Sequence, residues 1–184
     1  IPIINGLTDF CHPCQILADL MTIREYKGSF DGLKMCFIGD GNNMMNSLIV
    51  GCLKVGMAVS VACPEGYRPP QEILDFAGAY DCFELTDDPL TAAKDADVVI
   101  TDVWTSMGQE EERAAREKAF AGYCVDDRIM AAAKPDAIVQ HCLPAHRGEE
   151  ITEAVFEANA APIFDEAENR LHAQKAVMVM LMKD

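Results

Sequence analysis

Residues 34–62, KMCFIGDGNNMMNSLIVGCLKVGMAVSVA, contain the pattern that decides the fold. Residues 34–38 are a short apolar run that predicts a buried strand, and residues 44–55 place apolar residues at helical spacing until Gly56 ends the pattern. Residues 57–62 form a second apolar run of strand length. A strand, a helix and a strand in this order are typical of two parallel strands that a crossover helix connects.

The same alternation continues over the rest of the chain. Further strands are predicted at residues 82–85, 97–101 and 137–140, with an edge strand at residues 162–164. Further helices are predicted at residues 12–27, 71–79, 88–94, 110–120, 126–133, 151–157 and 166–182. Because most strands are continuous apolar runs, helices should cover both faces of the sheet. The predicted fold class is therefore α/β, a doubly wound, mainly parallel sheet in a Rossmann-like arrangement of three layers.

The composition excludes several classes of function. Half of the 184 residues are apolar and 24% are charged, which is typical of a soluble globular chain. We see no apolar run of membrane-spanning length and no signal peptide, so we expect a cytoplasmic protein without a membrane partner. The chain has fifteen basic and thirty acidic residues, so its net charge is −15, and the basic residues form no cluster in the sequence. A nucleic-acid partner is therefore not expected.

The eight cysteines do not point to a metal site. Four of them lie within apolar runs, where a free cysteine behaves as a small core residue. Cys11 and Cys14 form a CxxC pair, and the other close pairing of metal-ligating residues is His141 with Cys142. A structural zinc site usually combines two clusters with tighter spacing. We predict no metal, and a CxxC metal module stays as an alternative that elemental analysis would detect.

Three polar loops directly follow predicted strands, namely GDGNN at 39–43, DVWTSMG at 102–108 and HCLP at 141–144. Ligands of open α/β sheets bind beyond the carboxyl ends of the strands, so these loops should line one edge of the sheet. Asn43 offers amide donors and a carbonyl acceptor, and Asp102 offers a carboxylate to an ammonium group. This combination suits the headgroup of an amino acid.

Two alternative chemistries fit the same loops less well. A dinucleotide fingerprint beginning at Gly39 and Gly41 requires a third small residue where this chain has Met44. A nucleotide-binding regulatory module is therefore kept as an alternative only. A cysteine nucleophile activated by its neighbour is not expected, because His141 and Cys142 are adjacent on a strand and should point to opposite faces.

Five segments together resemble one family. HPCQ (12–15), GDGNN (39–43), DVWTSMGQE (102–110), HCLP (141–144) and EAENR (166–170) resemble the aspartate/ornithine carbamoyltransferase family, and specifically its ornithine carbamoyltransferases. The resemblance implies transfer of a carbamoyl group from carbamoyl phosphate to the δ-amine of L-ornithine, without a metal or an organic cofactor. Acetylornithine, succinylornithine and putrescine remain alternative acceptors.

The resemblance also implies roles for matched residues. His12 and Gln15, at a helix N-terminus that suits an anion or a carbonyl oxygen, would bind the carbamoyl group, and Arg170 would contact carbamoyl phosphate. Catalysis would involve Cys142, Asp102 and His12, with the first two orienting or deprotonating the δ-amine. The remaining ornithine contacts would come from Asn43, Ser106, Met107 and Leu143.

The resemblance implies a division of the chain into three parts. Residues 1–27 would be an interdomain helix left from a carbamoyl phosphate domain, residues 28–165 the ornithine-binding domain, and residues 166–184 a helix that packs toward the missing domain. The family's main phosphate loop, Ser-Thr-Arg-Thr, does not occur in these 184 residues, so we expect the fragment alone to be inactive. Full-length relatives are trimers, and the stretches HCLPAHRGEE and NRLHAQKA resemble forms that serve arginine biosynthesis.

Overall fold

A five-stranded parallel sheet forms the centre of the molecule in a computed structural model, which describes residues 1–105 and 110–183. In chain order the strands are β1 Lys34–Ile38, β2 Ala58–Ala62, β3 Phe83–Thr86, β4 Val98–Thr101 and β5 Ile138–His141. Their order in space is β3-β2-β1-β4-β5, and every neighbouring pair is parallel. The chain therefore leaves β1 to one side and later returns to its other side, so the loops after β1 and β4 are neighbours.

Helices cover both faces of this sheet. They are α1 Pro13–Lys27, α2 Asn43–Lys54, α3 Gln71–Ala77, α4 Pro89–Ala93, α5 Arg113–Ala119, α6 Asp127–Ala132, α7 Glu153–Ala158 and α8 Ala160–Leu181. Met35 and Phe37 of β1 pack into a core with α1, α2 and α3, whereas Cys36 and Ile38 pack into a second core with α4, α6 and α7. This alternation confirms the predicted doubly wound, three-layer architecture.

The predicted edge strand at residues 162–164 is wrong, because these residues lie in the first turn of α8. Pro162 is compatible with that position, since the first N–H groups of a helix have no partner within it. The helix covers the outer edge of β5 instead of extending the sheet. Asn159 accepts the Val139 N–H at 3.2 Å and Glu166 accepts the His141 N–H at 2.9 Å.

The two long terminal helices pack against each other, since α1 makes most of its contacts with α8. The last turn of α8 and the residue after it expose large apolar side chains, among them Met180 at 78% and Met182 at 76%. Within residues 1–105 and 110–183, no helix combines the length and the apolar character that a membrane crossing requires. The proposed division into three parts stays a prediction.

Candidate functional site

The loop after β1 is fixed by close backbone packing and by an asparagine cap. A Cβ atom at Gly41 would lie 2.4 Å from the backbone of Arg68 and Pro69, so only glycine fits there. Asn42 Oδ1 accepts the N–H groups of Met44 and Met45 at 3.0 and 3.2 Å and thereby begins α2. The close approach at Gly41 is to the protein's own backbone, whereas a dinucleotide fingerprint needs it for pyrophosphate.

Asp102 and Cys142 meet at the carboxyl ends of β4 and β5. The thiol of Cys142 donates to Asp102 Oδ1 at 3.1 Å, and the Val103 N–H donates to the same oxygen at 2.8 Å. The other carboxylate oxygen accepts from Asn42 Nδ2 at 3.0 Å. The Asp102 carboxylate thus accepts hydrogen bonds from three donors, which fix its position at the strand ends.

The Cys142 side chain is a thiol and not a thiolate. Burial, reinforced by the negative charge of Asp102, raises the pKa of Cys142 well above its usual range. A protonated thiol donates its hydrogen to the carboxylate, in agreement with the hydrogen bond between them.

His141 is a buried structural side chain. Its Nδ1 accepts the Leu143 N–H at 2.9 Å, so the proton is on Nε2, which donates to Glu150 Oε1 at 3.1 Å. Both ring nitrogens are occupied, and neither is bonded to the neighbouring thiol of Cys142. This agrees with the prediction that His141 does not activate a cysteine nucleophile. Leu143 has a positive φ of 55°, and the imidazole holds its N–H in that strained conformation.

His12, Gln15 and Arg170 form a second group where α1 begins. His12 is 8% exposed, and Gln15 at 1% accepts from Arg170 Nη1 through its side-chain oxygen. Burial, followed by the positive charge of Arg170, lowers the pKa of His12, so the imidazole is neutral at pH 7. His12 Nδ1 and Arg170 Nε are buried without a hydrogen-bond partner among the described residues. Buried polar atoms of this kind are typical of ligand sites.

Two buried carboxyl groups hold Gln15 from the other side, and neither was predicted as a site residue from the sequence. Gln15 Nε2 donates to Asp19 Oδ1 at 2.8 Å and to Glu166 Oε1 at 2.9 Å. Asp19 lies four positions after Gln15, and this helical spacing places both side chains on one face of α1, which the sequence alone could have indicated. Glu166 lies 151 positions away along the chain, and only the packing of α8 on α1 brings it there.

The remaining predicted residues are not gathered around Asp102. Asn43 donates its amide to the backbone oxygen of Thr8 at 2.8 Å, and the asparagine that contacts Asp102 is Asn42. Asn42 was not predicted as a site residue, since only Asn43 of this pair was assigned a role from the sequence. Ser106 and Met107 lie outside the described residues.

One group of metal-ligating side chains overlaps this site. One ligand atom from each of Asp102, His141 and Cys142 lies within 4.8 Å of the others. A metal here would have to displace the Leu143 N–H or Glu150 from the imidazole, because both ring nitrogens are engaged. The thiols of the CxxC pair instead contact Asn5, as Cys14 donates to its backbone oxygen and Cys11 accepts from its side chain.

Two protein-family models match this chain. Residues 31–181 match the aspartate/ornithine carbamoyltransferase, Asp/Orn binding domain, and residues 1–25 match the carbamoyl-P binding domain of the same family. This chain belongs to the aspartate/ornithine carbamoyltransferase family. The model of the Asp/Orn binding domain spans the whole sheet.

Individual members of the aspartate/ornithine carbamoyltransferase family are similar to this chain over nearly its whole length. Ornithine carbamoyltransferase of Geobacter metallireducens is 56% identical over 185 residues, covering 100% of this chain and 61% of its own. The ornithine carbamoyltransferase of Methanosarcina mazei is 55% identical over 184 residues, and the match covers 100% of this chain and 61% of that relative. The chain thus spans about three fifths of these relatives.

Solved structures of the family agree with the fold. The anabolic ornithine carbamoyltransferase of Campylobacter jejuni matches with a TM-score of 0.93 and 44% identity, over 98% of this chain and 61% of that one. The ornithine carbamoyltransferase of Pyrococcus furiosus matches with a TM-score of 0.88 and 50% identity, over 94% of this chain and 57% of that one. The parallel sheet and its helices therefore have the same arrangement as in these solved structures.

Proposed function

We propose that this chain is the ornithine-binding part of an ornithine carbamoyltransferase. The enzyme transfers the carbamoyl group of carbamoyl phosphate to the δ-amine of L-ornithine and releases L-citrulline and phosphate. The observation that carries the proposal is the position of Asp102 at the carboxyl ends of β4 and β5, where its carboxylate accepts from Cys142 and from Asn42.

The reaction follows from these residues. The Asp102 carboxylate accepts a proton from the δ-ammonium, and the Cys142 thiol and the Leu143 backbone orient the resulting amine. The amine attacks the carbonyl carbon, a C–N bond forms, and the carbonyl oxygen gains negative charge. Neutral His12 and cationic Arg170 stabilise that charge. The C–O bond to phosphate then breaks, and phosphate leaves with the bonding electrons and takes up the second proton of the attacking nitrogen, so that a neutral ureido group remains.

The other end of ornithine is an α-amino acid group. Asn43, Ser106 and Met107 bind it in this proposal, in keeping with the resemblance of their segments to the family. Carbamoyl phosphate is held by His12, Gln15 and Arg170 together with the carbamoyl-P binding domain of the full-length protein. The similarity to the anabolic Campylobacter jejuni enzyme supports a role in arginine biosynthesis. Assembly into trimers belongs to the same proposal.

The test uses a full-length enzyme in which this chain follows the amino-terminal segment of the Geobacter metallireducens relative. We expect citrulline from ornithine and carbamoyl phosphate, and a kcat at least about 100-fold lower for Asp102→Asn, since general base catalysis contributes that much. Asp31→Asn, at an exposed position, is the control and should retain full activity.

The acceptor is decided in the same assay. Faster carbamoylation of putrescine or acetylornithine than of ornithine would show that another amine is the acceptor, while the reaction would still be a carbamoyl transfer. A folded enzyme that carbamoylates none of these amines would contradict the proposed function. The unmodified Geobacter metallireducens relative, assayed in parallel, verifies that the amino-terminal segment is competent.

A further inference from the structure

We propose that the buried carboxyl groups of Asp19 and Glu166 act as a positioning pair that fixes the side-chain amide of Gln15 with its oxygen toward the ligand, and so select a carbamoyl group over an acetyl group. This inference rests on the proposed function, because it concerns the same site. It assigns a role to two residues that contact Gln15 and that the mechanism does not otherwise use.

The contacts of Gln15 leave its amide a single orientation. Both N–H groups of Nε2 are used, one by Asp19 at 2.8 Å and one by Glu166 at 2.9 Å. The oxygen accepts from Arg170 and keeps a second lone pair. A reversed amide would place its NH2 group against the guanidinium of Arg170 and its oxygen against two carboxyl groups. The two orientations therefore differ by three hydrogen bonds.

The pair itself holds a proton. Both side chains are fully buried, Asp19 at 0% and Glu166 at 1% exposure. Burial raises the pKa of both, and the negative charge of Asp19 raises the pKa of Glu166 further. One shared proton allows two acidic groups to remain buried side by side.

The orientation of Gln15 determines which acyl group fits. The amino group of a carbamoyl group has only N–H donors to offer, so it requires an acceptor, and the Gln15 oxygen provides one. The methyl group of acetyl phosphate has the same size but cannot donate. A site that hydrogen-bonds an NH group discriminates strongly against an analogue that lacks it. Loss of the fixed orientation should therefore weaken the binding of carbamoyl phosphate and leave the binding of acetyl phosphate nearly unchanged.

The position of the pair also excludes a purely local role. Glu166 Oε2 accepts the His141 N–H at 2.9 Å, directly before the Cys142 thiol. The pair therefore connects Gln15 on α1 with the end of β5. The amide that contacts the carbamoyl group and the strand end that carries the thiol are held by one carboxyl group.

The experiment compares two substitutions of one residue in the full-length enzyme described above. Asp19→Ala removes an acceptor of Gln15 and one of the two groups that share the proton. Asp19→Asn keeps an oxygen for Gln15, and its NH2 group donates to Glu166 in place of that proton. Glu168→Gln makes a similar change at an exposed residue of α8, the helix that carries Glu166, and is the control. The readouts are the KM of carbamoyl phosphate and the Ki of acetyl phosphate.

We expect Asp19→Ala to raise the KM of carbamoyl phosphate about tenfold, the equivalent of one hydrogen bond, and to change the Ki of acetyl phosphate less than about twofold. Asp19→Asn should restore the KM to within about twofold of the unmodified enzyme. Equal weakening of both ligands by Asp19→Ala, or no weakening of either, would overturn the proposal. If Asp19→Ala does not fold, Asp19→Val fills more of the space with apolar atoms and takes its place. Absence of citrulline formation before any substitution would instead contradict the proposed function.

Discussion

Single residues at this site act through the protonation states that their surroundings impose. Cys142 is a thiol because burial and Asp102 raise its pKa, and His12 is neutral because burial and Arg170 lower its pKa. In the proposed reaction, the Asp102 carboxylate that accepts the hydrogen bond from this thiol also takes the proton of the amine.

Asp102→Asn should make the Cys142 thiol more reactive. The substitution removes a negative charge that raises the pKa of this thiol, so the pKa falls and the thiolate fraction at pH 8.5 rises, about tenfold for each unit. Alkylation of Cys142 by iodoacetamide, followed by peptide mass spectrometry, measures the change. Asp31→Asn serves as the control. An unchanged or slower alkylation rate in Asp102→Asn would show that Asp102 does not control the thiol.

Part of the site could be predicted from the sequence because parallel strands place their carboxyl ends together. This rule was enough to bring Asp102 and Cys142 into contact. It could not distinguish Asn42 from Asn43, because which of two adjacent amides turns toward Asp102 depends on the cap geometry of α2. Glu166 was recognised as part of a motif, but its contact with Gln15 requires the packing of α8 on α1.

Among the elements, the loop between β1 and α2 has the least tolerance for change. A Cβ atom at Gly41 meets backbone atoms at 2.4 Å, and backbone cannot move aside as a flexible side chain can. We expect Gly41→Ala to lower the free energy of unfolding by about 1–3 kcal/mol, the usual range for overpacking. Urea denaturation followed by circular dichroism measures it.

Gly6→Ala provides the comparison for that substitution. An added Cβ atom at Gly6 has no neighbour within 4 Å among the described residues, so its stability should be unchanged. Equal urea midpoints for the two variants would contradict the close approach at Gly41.

The outer edge of β5 depends on side chains that replace a sixth strand. Asn159→Ala leaves the Val139 N–H without an acceptor, which should cost about 1–3 kcal/mol of stability. Asn159→Asp keeps that acceptor and loses only the bond from the Asn159 amide to the Val155 oxygen. The alanine variant should therefore unfold at the lower urea concentration. The reverse order would show that Asn159 does not complete the edge.

The misassigned strand at residues 162–164 has the same origin. A short apolar run beside a predicted sheet fits an edge strand as well as the start of a helix, and periodicity alone cannot distinguish them. The structure resolves this through long-range contacts, since Asn159 and Glu166 accept the N–H groups that another strand would have paired.

Over the whole molecule, the buried acids give stability a dependence on pH. Burial raises the pKa of Asp19 to about 7 from an ordinary value of 3.8. Between these values the folded state binds more protons than the unfolded state, so stability falls as pH rises through this window, by at most about 1.4 kcal/mol per pH unit for one proton. The lowered pKa of His12 gives an opposite slope below its unfolded value of 6.5.

Comparison with Asp19→Asn measures the contribution of the coupled pair Asp19 and Glu166, because His12 is common to both proteins. Urea midpoints at pH 5, 6, 7 and 8 should fall less steeply in the variant. Parallel curves over this range would contradict the raised pKa of Asp19.

The two tasks of Glu166 have a consequence for how the molecule opens. This carboxyl group finishes the hydrogen bonding of β5 and also immobilises the amide of Gln15, so α8 cannot lift from the sheet and leave the binding residues intact. Local opening of the contact between α8 and β5 is therefore coupled to release of the acyl donor. Occupancy by the donor should slow deuterium uptake at the His141 amide, so a ligand on one side of the fold would protect a strand end that it does not touch.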